Sequence, residues 1–256
     1  MSTLVKLGGA LLDDPESRRR ISSELADFAV DGHAVVVVHG GGKQMTRYLA
    51  STGVQSRFVN GLRVSTPEVI DAVLKVFAGT VNHELVASLV AAGAKPAGLS
   101  GIDAGMVECV PLGGEYGAVG KPVKANTEIL SLLCGAGFLP VIACIGGDRK
   151  GNIYNVNADQ MAVACAVSFG ASSLYFLTDV EGVRDGTGTV VRELRIPQIE
   201  ELVRTGIATG GMQAKLEAAR LALQSGVEEV VIAPGAIAGV LQKLRSGQAA
   251  GTRVLV

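Results

Sequence analysis

The chain has 256 residues, of which 48% are apolar but only 4% aromatic, and its 23 basic side chains nearly balance 24 acidic ones. This length can bury the core of one large α/β domain or of two closely packed lobes. The balance of charge excludes the basic footprint of a nucleic-acid-binding protein. No apolar run approaches the length of about 18 residues that suggests a membrane span, and the N-terminus enters a strand without a signal peptide. We expect a cytoplasmic protein with no nucleic-acid and no membrane partner.

Cysteines and histidines predict neither disulfides nor a metal site. The cysteines are scattered without a CxxC pair, as expected of reduced thiols in a cytoplasmic protein: Cys109, Cys134, Cys144 and Cys165. The three histidines lack the spacing of metal ligands.

Strand and helix signals alternate from the N-terminus. Residues 4–7 form a short apolar strand that contains Lys6 and is followed by two glycines. A capping aspartate and a proline at residues 13–16 begin a helix that we expect to end near Val30. Four consecutive valines at residues 35–38 predict a strand buried on both faces, as in a parallel sheet.

The remaining elements follow in the same alternation. The predicted elements after the valine strand are a helix over 43–50, an Asn-Gly turn between extended pieces in 54–63, a helix from 67 toward 92, a strand over 95–99, a glycine-rich irregular stretch over 101–121, a helix over 127–135, a strand over 139–143, a turn at 150–152, a helix from 158, a strand over 173–178, helices over 197–205 and 212–225, a strand over 229–233, a short helix and a final strand over 252–255. We expect two lobes that share one sheet, with the boundary near residues 170–180.

Glycines follow each of the first two predicted strands, at Gly8-Gly9 and at residues 40–42. They remove every side chain where the backbone turns toward a helix, so that bare N–H groups can approach an anion. Two such turns, one preceded by a lysine on its strand, predict a site for a phosphorylated ligand.

Three later segments place polar groups where strands meet helices. Residues 155–159 (NVNAD) carry Asn and Asp, which are also favoured helix caps. Lys215 comes soon after a glycine pair at a helix start, where the macrodipole disfavours a cation unless an anion binds there. Thr178 and Asp179 end a buried strand, and ligands bind at the carboxyl ends of parallel strands.

The common nucleotide-binding motifs are absent: there is no GxxxxGK[ST], no GxGxxG after the first strand and no protein-kinase signature set. The chain instead resembles the amino-acid kinase superfamily and, within it, the acetylglutamate kinase family. The matching motifs occur in the family's order over essentially the whole chain: KLGG at 6–9, HGGG at 39–42, NGLR at 60–63, GTVNHELV at 79–86, NVNAD at 155–159, LTDVEGV at 177–183, GGMQAK at 210–215 and the closing GTRVLV.

The resemblance implies an α/β fold, a three-layer αβα sandwich around a mostly parallel sheet of about eight strands. It implies that residues 1–172 bind the acyl acceptor and mediate dimerisation, and that residues 173–256 bind ATP. The implied reaction is ATP-dependent phosphorylation of the side-chain carboxylate of N-acetyl-L-glutamate, an early step of arginine biosynthesis. A homodimer that receives Mg²⁺ bound to ATP is implied as well.

The resemblance also implies the role of individual residues. Lys6 and Lys215 flank the transferring phosphoryl group, and Asp159 holds both lysines in position. The residues implied to bind the acceptor are Gly41, Gly42, Arg63 and Asn155. Those implied to bind ATP are Lys6, Gly8, Gly9, Thr178, Asp179, Gly210, Gly211, Met212 and Lys215.

The residue types also fit this chemistry independently of the resemblance. A carboxylate nucleophile is already ionised at neutral pH, so the reaction needs no general base, and His39 is expected to be structural. An anion that attacks an anionic phosphate requires cations and N–H donors at the transfer point. Two alternatives remain: a kinase for aminoadipate or glutamate linked to a carrier protein, and a non-catalytic amino-acid or nucleotide sensor of the same fold. The presence of both lysines and Asp159 favours catalysis.

Overall fold

The computed structural model describes residues 2–29 and 32–256, so the predicted end of the first long helix, near Val30, lies outside the described residues. The strands are β1 (Ser2–Leu7), β2 (Ala34–His39), β3 (Phe58–Val59), β4 (Leu62–Arg63), β5 (Pro96–Ser100), β6 (Val107–Pro111), β7 (Val119–Ala125), β8 (Leu139–Ala143), β9 (Ile145–Gly147), β10 (Ile153–Val156), β11 (Ser173–Thr178), β12 (Glu193–Arg195), β13 (Glu229–Pro234) and β14 (Thr252–Leu255). The helices are α1 (Gly9–Asp13), α2 (Pro15–Phe28), α3 (Gly42–Ser51), α4 (Pro67–Val73), α5 (Asn82–Ala91), α6 (Glu128–Gly135), α7 (Ala158–Phe169), α8 (Ile196–Arg204), α9 (Gly210–Gln224) and α10 (Val240–Arg245), with a π-helical stretch (Leu74–Val81) between α4 and α5.

Eight strands form the main sheet, in the order β12–β14–β13–β11–β1–β2–β8–β5. Every neighbouring pair is parallel except β13 and β14, which are antiparallel. β2, with its four valines, lies between β1 and β8, and all four side chains are buried. The prediction of a strand covered on both faces is therefore confirmed, as is the mostly parallel sheet of eight strands.

Helices cover both faces of this sheet, which confirms the three-layer arrangement. Lys6 on β1 forms an ion pair with Asp159 on α7, so α7 covers the face to which Lys6 points. Lys6 is paired in register with Phe176 of β11, and the preceding residue Tyr175 therefore points to the opposite face. The Tyr175 ring lies 6.4 Å from the Phe28 ring of α2, which places α2 in the other helical layer.

The helical stretch Pro67–Ala91 contains an 18-residue window with a mean hydropathy of 1.3 and, by length and composition alone, could cross a membrane. Its α5 part packs against β5 and β8 of the main sheet, and Leu85 and Leu89 are buried in the core. Part of its apolar surface is therefore in the core of the fold, while Leu74 and Val90 are exposed.

A separate closed sheet of four strands, in the order β10–β7–β6–β9, corrects the prediction of an irregular stretch over residues 101–121. Gly120, one of the glycines of that stretch, and Gly146 on β9 allow strands to approach closely. A Cβ on Gly120 would lie 2.5 Å from Cβ of Tyr154, and one on Gly146 would lie 2.4 Å from Sγ of Cys109. This sheet carries Asn155 on β10.

The Asn60-Gly61 turn forms the predicted hairpin between β3 and β4. Both residues have positive φ, 47° and 78°, as a two-residue type I′ hairpin turn requires. The hairpin ends in Arg63 on β4.

We predict that Gly120→Ala lowers the free energy of unfolding by about 1–3 kcal/mol, because the added methyl overpacks the closed sheet against Tyr154. Urea titration followed by circular dichroism measures the change. The matched control is Gly135→Ala at the end of α6, where a Cβ would meet no atom within 4 Å and stability should be unchanged or slightly raised. Equal stability of the two variants would contradict the close approach at Gly120.

Candidate active site

The carboxyl ends of β1, β2 and β11 lie side by side because these strands are adjacent and parallel. The N–H of Gly8 donates to the carbonyl of Leu177 at 2.8 Å, joining the end of β1 to that of β11. A Cβ on Gly9 would lie 3.1 Å from the backbone nitrogen of Gly42. The two predicted glycine turns therefore touch, and a side chain at Gly9 would push them apart.

A buried carboxylate joins two lysines beside these turns. Asp159 Oδ1 lies 2.7 Å from Nζ of Lys6, and its Oδ2 accepts a hydrogen bond from Nζ of Lys215 at 3.1 Å. Lys6 is 6% exposed and Asp159 is 5% exposed. The three residues that sequence reasoning assigned to catalysis are thus brought together, from β1, α7 and α9.

The electrostatics of this group favour an added anion. Burial alone would raise the pKa of Asp159, but the nearby Lys6 and Lys215 ammonium groups hold its pKa below the ordinary value. The carboxylate is therefore charged at neutral pH and balances only one of its two cations. The group as a whole carries one positive charge that a phosphate can balance.

Residues 155–159 divide their roles between capping and the ionic group. The side-chain oxygen of Asn157 accepts from the backbone N–H of Asp159 at 2.9 Å and from that of Gln160 at 3.2 Å, so Asn157 is the N-cap of α7. Asp159 lies in the first turn, where the helix dipole favours a carboxylate. Capping explains Asn157 and leaves the Asp159 side chain free to bind the lysines.

Two cavities open at this edge of the sheet. The larger, of about 640 Å³, is within the range of about 300–1,000 Å³ usual for drug-sized ligands. Its lining includes both lysines of the ionic group and both glycine turns: Lys6, Gly8, Gly9, Gly42, Lys43, Thr46, Arg47, Phe58, Arg63, Thr178, Asp179 and Lys215.

The smaller cavity, of about 180 Å³, suits a smaller molecule. Its lining is mainly glycine and apolar: Gly40, Gly41, Gly42, Phe58, Gly61, Leu62, Arg63, Phe77, Val119, Cys144, Asn155, Val156, Asn157 and Ala158.

Arg63 lines both cavities and has no carboxylate partner among the residues that the structure describes. One terminal nitrogen donates to Oγ of Ser56, and the other donates to Oγ1 of Thr46 at 2.8 Å. Its guanidinium carbon lies 4.6 Å from the centre of the Phe58 ring. Arg63 is therefore a preformed cation whose charge is available to a ligand carboxylate.

Asn155 reaches the smaller cavity from β10 of the closed sheet. Its side-chain nitrogen donates to Oγ of Ser65 at 3.0 Å, which fixes the orientation of the amide. The acceptor-binding residues expected from the sequence, Gly41, Gly42, Arg63 and Asn155, all line this smaller cavity.

His39 lies at the end of β2 but takes no part in the cavity lining. Nδ1 donates to the carbonyl of Gly40 at 2.9 Å, and Nε2 accepts from the side-chain amide of Asn82 at 2.9 Å. Complete burial lowers the pKa of His39 to about 4, so the imidazole is neutral at neutral pH. The expectation that His39 is structural agrees with this network.

Three predicted ATP-binding residues lie outside both cavities, and two cationic residues that line the larger cavity were not predicted. Gly210, Gly211 and Met212 form the first turn of α9 and line neither cavity, so only Lys215 of that segment reaches the site. Sequence reasoning did not assign Lys43 and Arg47, which line the larger cavity from α3. Their position directly after the glycine turn, four residues apart on one helix, was the available signal.

The donor groups of the described residues do not make a protein-borne metal site. No group of three or more His, Cys, Asp or Glu side chains in residues 2–29 and 32–256 could hold a metal ion. Mg²⁺ commonly binds through one or two carboxylates together with substrate phosphates, and Asp179 at the larger cavity is such a carboxylate. The residues present thus fit a Mg²⁺ ion that arrives on a nucleotide.

Comparison with known proteins gives consistent matches over the full length. The sequence profile of the Amino acid kinase family matches residues 1–234. The chain is 56% identical over 255 residues to an acetylglutamate kinase of Solibacter usitatus (strain Ellin6076), covering 100% of this chain and 99% of that protein. It is 44% identical to an acetylglutamate kinase of Acidobacterium capsulatum, with 100% and 99% coverage.

A solved structure supports the same fold. The N-acetylglutamate synthase of Neisseria gonorrhoeae, complexed with coenzyme A and N-acetyl-glutamate, matches with a TM-score of 0.89 at 25% identity. The match covers 100% of this chain, which spans only 59% of that synthase chain. The eight-stranded α/β core is therefore shared with a larger protein.

We predict that the buried His39 makes stability fall in mild acid. An unfolded histidine has a pKa of about 6.5, whereas that of His39 in the folded chain is lowered to about 4. Its contribution is complete above about pH 6.5 and is lost as the pH falls toward 4, at up to about 1.4 kcal/mol per pH unit, because only the unfolded state binds the proton in that window. Urea titrations at a series of pH values measure this slope.

The variant His39→Gln should have a shallower slope between pH 6.5 and 4 than the wild type. His83→Gln, which replaces an exposed histidine on α5, is the matched control and should keep the wild-type slope. A wild-type slope in His39→Gln would show that His39 does not stay neutral in the folded state.

Proposed function

This chain belongs to the amino acid kinase family, and from that membership we propose that it phosphorylates the side-chain carboxylate of N-acetyl-L-glutamate with ATP. The product would be N-acetyl-L-glutamyl 5-phosphate, an early intermediate of arginine biosynthesis. One observation carries the proposal: a buried carboxylate holds two lysines at a cavity that both glycine turns also line. Full-length relatives named acetylglutamate kinase support the choice of acceptor.

The larger cavity suits the nucleotide. Its volume is in the range usual for cavities that hold a drug-sized ligand. The N–H groups of the Gly8-Gly9 turn and of the start of α3 can approach phosphate oxygens without a side chain between them. Thr178 and Asp179 line the same cavity from the end of β11, toward the nucleoside in this proposal. Contact between ATP and the first turn of α9 stays a prediction.

The smaller cavity suits the acceptor. Arg63 would bind the α-carboxylate of the acceptor through two parallel hydrogen bonds, and Asn155 would bind beside it. The apolar lining accommodates an N-acyl group, which a free amino acid would lack. Gly41 and Gly42 would contact the side-chain carboxylate where the two cavities meet.

Transfer would proceed in line from ATP to the carboxylate, without a phospho-enzyme. The acceptor carboxylate is ionised at neutral pH, so no side chain has to remove a proton. The negative charge that develops on the transferring group would be stabilised by Lys6 and Lys215. Asp159, which touches both ammonium groups, would keep them in place. Mg²⁺ bound to ATP would neutralise phosphate charge when present.

The wider organisation is proposed on the same basis. We propose that residues 1–172 bind the acceptor and form the contacts of a homodimer, and that residues 173–256 bind ATP. The main sheet passes from one part to the other at the β1–β11 pair. We also propose a cytoplasmic location for the enzyme.

A coupled assay of ADP release tests the proposed reaction with five acceptors: N-acetyl-L-glutamate, glutamate, aspartate, free aminoadipate and aminoadipate linked to a carrier protein. Activity with N-acetyl-L-glutamate, trapped with hydroxylamine as the acyl hydroxamate, supports the proposal. Activity confined to glutamate or aspartate would refute it. Activity only when a carrier-linked aminoadipate is supplied would favour the carrier-dependent alternative, and no turnover at all would favour a sensor.

We predict that Lys6→Ala and Lys215→Ala each lower kcat by about two orders of magnitude or more, because each removes a charge contact of roughly 3 kcal/mol to the transition state. Steady-state kinetics at saturating substrates measure the loss. Lys95→Ala is the control. Lys95 is exposed and directly precedes β5, so it lies at the amino ends of the parallel strands, away from the carboxyl ends that form the site. Near-normal turnover in both site variants would rule out this mechanism.

We predict that Arg63→Lys raises KM for the acceptor by about tenfold or more, while KM for ATP changes little. A lysine is a point charge and cannot form the two parallel hydrogen bonds to a carboxylate. Arg204→Lys, an exposed arginine paired with Glu201 on α8, is the matched control. A rise in KM for ATP alone would place Arg63 at the nucleotide instead.

A further inference from the structure

The Arg63 guanidinium is held by neutral groups. Its two terminal nitrogens donate to the hydroxyls of Ser56 and Thr46, and a third contact, to the carbonyl of Gly42, is weak at 3.4 Å. Neutral acceptors orient a guanidinium without cancelling its charge, as a carboxylate partner would. In the absence of a ligand, Arg63 is therefore oriented by these two hydroxyls and by the Phe58 ring, whose centre lies 4.6 Å from the guanidinium carbon.

Thr46 makes two hydrogen bonds with its single hydroxyl. Oγ1 accepts from Arg63 at 2.8 Å and donates to the carbonyl of Gly42 at 2.9 Å. The second bond alone would be unremarkable, because threonines in helices often donate to the carbonyl four residues earlier. The first bond is specific, since it joins β4 to α3 over 17 positions of sequence.

The two hydrogen bonds of Thr46 connect Arg63 to the backbone near the proposed point of phosphoryl transfer. Gly42 begins α3, lines both cavities and touches Gly9 of the other glycine turn. A hydroxyl that binds both Arg63 and Gly42 fixes the distance from the guanidinium to the place where the cavities meet. An acceptor held by Arg63 would then have its side-chain carboxylate at a set position.

We infer that Thr46 is a positioning residue that holds Arg63 ready for the acceptor α-carboxylate; the inference rests on the proposed function. Without Oγ1, the second terminal nitrogen of Arg63 keeps only the weak contact to Gly42. The long side chain then samples more rotamers, and acceptor binding must bear the cost of ordering it. Although Thr46 lines the larger cavity, we expect the loss to fall on binding of the acceptor, because its hydroxyl binds Arg63 and acts through that residue.

The test compares Thr46→Val, which keeps the shape of the side chain and removes the hydroxyl, with Thr46→Ser, which keeps the hydroxyl. Thr46→Val should raise KM for the acceptor about tenfold, the effect expected for loss of one hydrogen bond to a charged group. KM for ATP and kcat should stay within about twofold, the signature of lost uniform binding. Thr46→Ser should restore KM to within about twofold of the wild type.

The matched control is Thr52→Val at the end of the same helix, where the hydroxyl donates only to the carbonyls of Tyr48 and Leu49. It should leave all three kinetic constants unchanged. If Thr46→Val does not fold, Ser56→Ala removes the partner of the other terminal nitrogen and should likewise raise KM for the acceptor. An unchanged acceptor KM in a folded Thr46→Val variant, or an equal rise in Thr46→Ser, would overturn the inference.

A measurement without substrate separates this inference from the proposed function. NMR of the arginine side chains should show slow rotation of the Arg63 guanidinium in the wild type and in Thr46→Ser, and faster rotation in Thr46→Val. A wild type that does not phosphorylate N-acetyl-L-glutamate would refute the proposed function, and this NMR comparison would still decide the role of Thr46. Equal rotation in all three proteins would overturn that role while leaving the proposed function intact.

Discussion

The buried ionic group of Lys6, Asp159 and Lys215 is the constraint on which the rest of the site depends. The Lys6 ammonium and the Asp159 carboxylate are buried, and the Lys215 side chain is only 17% exposed. Removing such charges from water is costly unless each has a close partner. Asp159 supplies that partner to both lysines and so binds β1, α7 and α9 together at one point. The same contact leaves one positive charge unbalanced beside the glycine turns. The Asp159 side chain therefore contributes both to the stability of the fold and to the binding of an anion.

The fold places this group where small ligands can reach it. Parallel pairing brings the carboxyl ends of β1, β2 and β11 to one edge, and the absence of side chains at Gly9 lets the first two turns touch. Gly42 and Arg63 line both the larger and the smaller cavity. In the proposed reaction, a nucleotide and an acceptor would thus meet with their negative charges facing the lysines.

Much of this could be predicted from the sequence, because the relevant signals are local. The four valines of β2 and the Asn60-Gly61 hairpin follow directly from side-chain shape and backbone freedom. The closed sheet of β6, β7, β9 and β10 could not be predicted, since its glycines have the same local signature as a loop. Only the partners Tyr154 and Cys109, distant in sequence, show that these glycines serve close packing.

The site was predictable as a set of residues but not as a set of contacts. Motif order identified Lys6, Asp159 and Lys215, yet the capping role could have belonged to any polar residue of 155–159, and only the structure assigns it to Asn157. The support of Arg63 by Thr46 is similarly invisible in sequence, because a threonine four residues after a glycine has no distinctive pattern. Contacts between elements far apart in the chain are set by packing, which local signals do not encode.

The most direct test of the central role of Asp159 is a double-mutant cycle on the rate of phosphoryl transfer in a single turnover. Asp159→Asn would be measured alone and combined with Lys215→Ala. If Asp159 acts by holding the lysines, Asp159→Asn alone should slow transfer by about a hundredfold or more. Its effect should be smaller in the Lys215→Ala background, where only the contact to Lys6 remains to be lost. An effect of equal size in both backgrounds, or a near-normal rate in Asp159→Asn, would contradict the account.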